Sequence, residues 1–110
     1  MRFHYSLPLV NHVGDANHTP LYLACDRRKS AAVTALLAAN ADPNIVDNTG
    51  WSPLMLASNV DIVKALLAAN ANVHLVNNEG RSALSFAKQC GHDSIIALLL
   101  DAGATIDDSD

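Results

Sequence analysis

Apolar residues recur along the chain in pairs of blocks. The longer block of each pair, Val33-Leu36-Leu37, Ile62-Val63-Leu66-Leu67 and Ile95-Ile96-Leu99-Leu100, keeps the i, i+3, i+4 spacing of one helix face. A shorter block precedes each, opened by Thr19-Pro20-Leu21, Ser52-Pro53-Leu54 and Ser82-Ala83-Leu84. The Thr and Ser side chains can accept an orphan N–H of a first helical turn, and Pro20 and Pro53 suit the first helical position, where no N–H is needed. The pattern therefore predicts a helix starting at each opening and a second helix about eleven residues later. Asn40, Asn70 and Gly103 close the second helices, with residue types that enter the left-handed conformation at least cost. Asn17, Gly50 and Gly80 hold equivalent places just ahead of each cap, where positive φ is again expected.

The blocks form a tandem repeat. Ala-Leu-Leu-Ala-Ala-Asn-Ala occurs at 35–41 and again at 65–71, and the three openings are 33 and 30 residues apart. A unit of about 30 residues cannot bury its apolar face alone, so neighbours must stack. The units run about 14–46, 47–76 and 77–107, after an N-terminal segment or degenerate partial repeat at 1–13 and before an acidic tail at 108–110.

The motif residues are Thr19-Pro20-Leu21-Tyr22-Leu23-Ala24, Asp47-Asn48-Thr49-Gly50-Trp51-Ser52-Pro53-Leu54-Met55-Leu56-Ala57 and Gly80-Arg81-Ser82-Ala83-Leu84-Ser85-Phe86-Ala87, with Gly91-His92 and Gly103-Ala104 in the last unit. In these the chain resembles the ankyrin repeat over roughly residues 14 to 107. The resemblance implies an all-α solenoid of stacked antiparallel helix pairs, with β-hairpin-like fingers along one edge. It also implies a role in binding other proteins. The family's contact positions fall on Asp15, Ala16 and His18 in the first finger, Asn48, Thr49 and Trp51 in the second, and Asn78, Glu79 and Arg81 in the third. Asp26, Arg27, Gln89 and Cys90 extend that surface along the first helices. Trp51, the only Trp, is the leading candidate anchor, because Trp and Arg most often carry interface energy. Its other expected role is to lie across Arg81 or the neighbouring finger in a cation–π contact of about 0.5–1 kcal/mol.

Three departures from the family pattern carry consequences. The histidine that usually follows Pro-Leu is replaced by Tyr22, Met55 and Ser85, so softer turns are expected. Unit two is three residues short, best placed after Ala57, which predicts a shortened first helix and a notch in the inner surface. Cyclin-dependent-kinase inhibitors of the ankyrin class share such a shortening, and little else here matches them. Arg28-Lys29 stands where Gly-His is usual, and positive φ at Arg28 would cost on the order of 1 kcal/mol.

Leu9-Val10-Asn11 aligns with Asp42-Pro43-Asn44 as the tail of a preceding repeat. Pro8 argues against a long helix there, and a strand or partial cap with Phe3, Tyr5 and Leu7 packed on the first helices is expected instead. At the other end, the apolar last helix predicts that further repeats, another domain, a second copy or Ile106 of the tail covers its outer face.

Composition narrows the function classes. Net charge is −4, which disfavours nucleic acid, since phosphate neutralisation needs a concentrated basic surface. The one basic run is Arg27-Arg28-Lys29, and no segment reads as a signal peptide or membrane span. Cys25 and Cys90 fall in different units, too far apart for a disulfide, which points to reduced thiols and an intracellular, cytoplasmic or nuclear location. The five histidines are scattered, no metal-ligand spacing or phosphate-cradling loop occurs, and the eleven carboxylates include no evident catalytic pair. His92 is expected to hydrogen-bond local backbone. No enzyme, cofactor or metal is expected. The expected function is a scaffold or adaptor for a protein partner, with a structural or regulatory segment of a larger enzyme, channel or ubiquitin-ligase protein as the alternative. Asn44 additionally sits where ankyrin repeats resemble substrates of asparaginyl hydroxylase.

Overall fold

The computed structural model of the chain describes residues 10–105. The expected packing of Phe3, Tyr5 and Leu7, the placement of Pro8 and Leu9, and the roles of Ile106 and the acidic tail lie outside the described residues. Among the described residues six α-helices follow one another in pairs: α1 Pro20–Asp26 with α2 Ser30–Ala38, α3 Pro53–Leu56 with α4 Val60–Ala68, and α5 Ala83–Cys90 with α6 Asp93–Asp101. Each first helix starts where its cap dictates. Thr19 Oγ1 accepts from the N–H of Tyr22, Ser52 Oγ from Met55 and Ser82 Oγ from Ser85, each removing one orphan donor.

The second helices end in one motif used three times. Asn40, Asn70 and Gly103 adopt φ of 69°, 66° and 102°. The next N–H in each case reaches back to the last turn, Ala41 to the carbonyl of Leu36, Ala71 to Leu66 and Ala104 to Leu99. Those bonds satisfy carbonyls that a fraying end would leave open. The same closure follows α1, where Lys29 N–H reaches Ala24 O. Arg28 takes φ of 57° there, so the strain expected of a non-glycine residue is present.

Helix pairs stack in register. α1 packs on α3 and α3 on α5, forming one layer, while α2 packs on α4 and α4 on α6, forming the second. A single apolar core runs through all three units, with Leu21, Val33, Leu54, Ile62, Leu66, Leu84 and Leu99 essentially excluded from solvent. The chain thus solves at the level of three units what no unit solves alone. α3 stops after four residues, as the three-residue deletion predicted, and Asn59 at once caps α4 by accepting from Asp61 and Ile62. At the open end of the stack Ile95 and Leu99 face inward and Ile96 and Leu98 are half-buried. The exposed apolar surface there is narrower than the sequence pattern suggested, with Leu100 at 38% and Val76 at 55% exposure.

The fingers between units form a ladder. Asn48 N–H donates to Ala16 O at 3.0 Å, and Asn78 N–H to Thr49 O at 2.9 Å, so each finger tip is tied to the next. A second row of bonds joins the fingers nearer the helices: Asp42 N–H donates to Asn11 Oδ1 and Asn72 N–H to Asn44 Oδ1. Asn11 therefore does for unit one what Asn44 does for the unit after it.

Gly50 sits inside this ladder. With φ of 86°, it places any Cβ 2.9 Å from Asn78 Oδ1 and 3.0 Å from Asn77 Cα, whereas Gly80 at φ of 78° faces open space. Gly80→Ala should cost about 1 kcal/mol from backbone strain alone, and Gly50→Ala at least about 2 kcal/mol because the third finger must also move. Urea unfolding of the two variants checks the difference, and equal costs would show that the fingers are not held at this spacing.

Candidate functional site

Three finger residues occupy one column just ahead of the caps: His18, Trp51 and Arg81. Each leans on an aromatic or polar side chain of a first helix, His18 on α1 and both Trp51 and Arg81 on α5. His18 stacks on Tyr22 with ring centroids 4.4 Å apart. Trp51 packs on Phe86 of the next unit, with centroids 4.4 Å apart and the rings tilted by 30°. Arg81 lays its guanidinium over the opposite partner of that pair, 4.9 Å from the Phe86 centroid, and its Nη2 donates to Gln89 Oε1.

The expectation that Trp51 lies across Arg81 or the neighbouring finger in a cation–π contact is thus corrected. Both use Phe86, because the ring at the fourth position of α5 projects between the two fingers, and the cation–π interaction falls to Phe86. Trp51 is half-buried, packed against the edge of the core. Around it Asp15, Ala16, Asn48, Thr49, Asn78 and Glu79 are exposed at the finger tips, and Asp26, Arg27, Gln89 and Cys90 are exposed at the ends of α1 and α5. The fold brings Trp51, Arg81 and Gln89 into one cluster through Phe86, whereas Asp26 and Arg27 stand apart from it beyond α3.

Softer turns do not follow from losing the family's histidine. In unit one the Tyr22 hydroxyl donates to Asp47 Oδ2, crossing from α1 to the base of the second finger. The other Asp47 oxygen accepts from the N–H groups of Thr49 and Trp51 and from the Thr49 hydroxyl, which pins the whole turn. Met55 and Ser85 satisfy their own cap instead, Met55 Sδ and Ser85 Oγ each accepting the N–H of the preceding Ser. Asn77 repeats the role of Asp47 for the third finger by accepting from Glu79 and Arg81. Its Nδ2 has no partner although the residue is 4% exposed, since Met55 stands where Tyr22 stands one unit earlier. His92, expected to bond local backbone, provides no side-chain cap for α6 and instead borders a cavity beside α3.

Burial, followed by the bond to Asp47, raises the pKa of Tyr22 well above its ordinary value. Burial alone would raise Asp47 too, but the Tyr22 hydroxyl and the Trp51 and Thr49 donors outweigh it and hold the carboxyl below its usual range. Cys25 is pushed up to about 12 by burial, so its thiol is unreactive, while Cys90 is exposed.

Reading the sequence assigned Asp47, Asn77 and Phe86 no contact role and took Tyr22 only as a replacement for the family's histidine. Asp47 and Asn77 share a place in the repeat, four residues before Trp51 and Arg81, and that recurrence was the available signal.

The family model for ankyrin repeats, in three copies, matches residues 5–75 and 21–110. The chain belongs to the ankyrin-repeat family. Comparison with curated proteins finds no match. Ankyrin repeats generally serve protein–protein interaction and are generally non-catalytic. Among the described residues, no helix is long and apolar enough to cross a membrane.

The Tyr22–Asp47 bond has a pH signature. Asp47's lowered pKa gives stability that is present above its ordinary 3.8 and lost as pH falls below it. Tyr22's raised pKa gives stability that is present below its ordinary 10.0 and lost above it. Tyr22→Phe should therefore cost about 1–2 kcal/mol near neutrality and progressively less toward either extreme. Thermal unfolding across pH measures it, and a pH-independent difference would show that the loss is packing alone.

Proposed function

We propose that the chain is a non-catalytic protein-interaction module, a scaffold or adaptor, which holds a partner protein through its finger tips and the adjoining surface of α1, α3 and α5. The observation that carries this reading is the half-buried Trp51, braced on Phe86 beside Arg81 and flanked by exposed finger residues. A braced ring has already lost its rotational freedom, so docking against its exposed part costs little further ordering. Asp15, His18, Asn48, Thr49, Asn78 and Glu79 supply the polar contacts, and Asp26, Arg27 and Gln89 extend them along the helices. The reading includes no cofactor, metal or nucleic-acid partner. Unpaired Cys25 and Cys90 favour an intracellular location.

A second reading is a structural or regulatory segment of a larger protein, favoured by exposed Val76 at the end of unit two and exposed Leu100 on the last unit. Those side chains suit a further repeat or another domain.

The two readings separate in a capture experiment. Trp51→Ala combined with Arg81→Ala should abolish recovery of the principal partner from cell extract, while exposing Phe86 at a cost of about 0.5–1.5 kcal/mol in stability. Mass spectrometry of the recovered proteins and calorimetry of the variant check both halves. Undiminished recovery by a folded double variant would contradict the finger-surface assignment.

A further inference from the structure

One motif stands apart from the core and the fingers. Three of the chain's seven Lys and Arg residues form a single run, Arg27-Arg28-Lys29, in the turn between α1 and α2, and all three are exposed. The residue that follows is Ser30, half-buried and the first of α2. It is the only Ser or Thr in the chain with an Arg both two and three residues ahead of it. Asp26, the nearest carboxylate along the chain, lies outside that pair, and the small Ala31 comes next.

The backbone there is held less firmly than at most other helix starts. Arg28 is forced to φ of 57°, a strain that is released if the turn straightens. Thr19, Ser52, Asn59 and Ser82 each accept an N–H of the helix they open, whereas the N-cap of α2 is Lys29, which has no acceptor to offer. α6 also lacks a side-chain cap, but its hydroxyl, exposed Ser94, has Gly91 and His92 where Ser30 has its two arginines.

We propose that Ser30 is a phosphorylation site for an arginine-directed protein kinase, one whose acceptor groove carries carboxylates for the two guanidinium groups ahead of the hydroxyl. In the transfer Ser30 Oγ attacks the γ-phosphorus of MgATP. The Oγ–P bond forms as the bond from that phosphorus to the β,γ-bridging oxygen breaks, ADP leaves with the electron pair, and the kinase's catalytic carboxylate takes the hydroxyl proton. Entry into an extended groove requires residues 27–30, about 10 Å of chain, to leave the turn. The strain at Arg28 and the uncapped start of α2 keep the cost of that local opening low.

The phosphate then supplies what α2 lacks. A group carrying about two negative charges on the first helical residue lies beside the open N–H groups of the first turn and the positive end of the helix dipole, with three cations next to it in the chain. Modification thus tightens the turn that had to open for it.

The test incubates the purified chain with an arginine-directed serine kinase and MgATP and maps the product by mass spectrometry. Phosphate should appear on Ser30, while Ser94, at the other uncapped helix start, stays unmodified. Ser30→Ala should abolish transfer at this site. Arg27→Gln with Arg28→Asn should slow it about tenfold or more without changing the circular dichroism spectrum, since asparagine takes positive φ readily. A proline-directed kinase should leave Ser30 untouched, because Ala31 follows it. The phosphorylated chain should melt about 2–6 °C above the unmodified one, by a margin that shrinks as salt rises. Absence of phosphate on Ser30, an equal rate for the double variant, or a lower melting temperature after transfer overturns the proposal.

Discussion

Every level of this structure depends on contact between neighbouring units. A helix pair of some 30 residues presents an apolar stripe on each side, and only the next pair can cover it. Packing of α1 on α3 and α3 on α5, and of α2 on α4 and α4 on α6, supplies the hydrophobic part of that contact. Packing alone leaves neighbours free to slide along each other. The register is fixed by hydrogen bonds between fingers, from Asn48 to Ala16 and from Asn78 to Thr49 at the tips, and through Asn11 and Asn44 nearer the helices. Side chains at the base of each finger, Asp47 and Asn77, hold the tips in the shape that makes those bonds.

The surface follows from that frame and from one irregularity in it. With equal units the inner layer would be even. Losing three residues from the second unit keeps the cap at Ser52 and the start of α4 at Val60, and removes the last turn of α3. Because the register is held by the fingers, the neighbours cannot close over the gap. A deletion in sequence becomes a hollow in space, bordered by Trp51 and Phe86, whose contact ties units two and three together on the finger side.

Local structure was legible in the chain, and contacts between units were only partly so. Thr19, Ser52 and Ser82 announce helix starts because capping needs a side chain of that type at that position, and each makes the expected bond. Asn40, Asn70, Gly103 and even the strained Arg28 take positive φ, since the helix ends leave no other geometry. The short α3 could be read from the 33- and 30-residue steps. Tyr22 was a different case. Its hydroxyl finds Asp47 twenty-five residues away, a pairing that depends on how far α1 stands from the second finger. Trp51 was expected to lie across Arg81 or the neighbouring finger, but Phe86 of α5 takes the ring contact of Trp51 and the cation–π contact of Arg81. Sequence spacing says which residues share a column of the repeat; the offset between columns is set by packing.

The central claim is that finger-to-finger hydrogen bonds lock the units into one cooperative stack. Native-state amide hydrogen exchange tests it residue by residue. The amides of Asn48 and Asn78, although they lie at exposed loop tips, should exchange only through the same global opening that releases core amides such as Val63, with a matching opening free energy and denaturant dependence. Exchange of those two amides at the rate of an unprotected loop, while Val63 remains protected, would show that the fingers are ornaments on a stack held by helix packing alone.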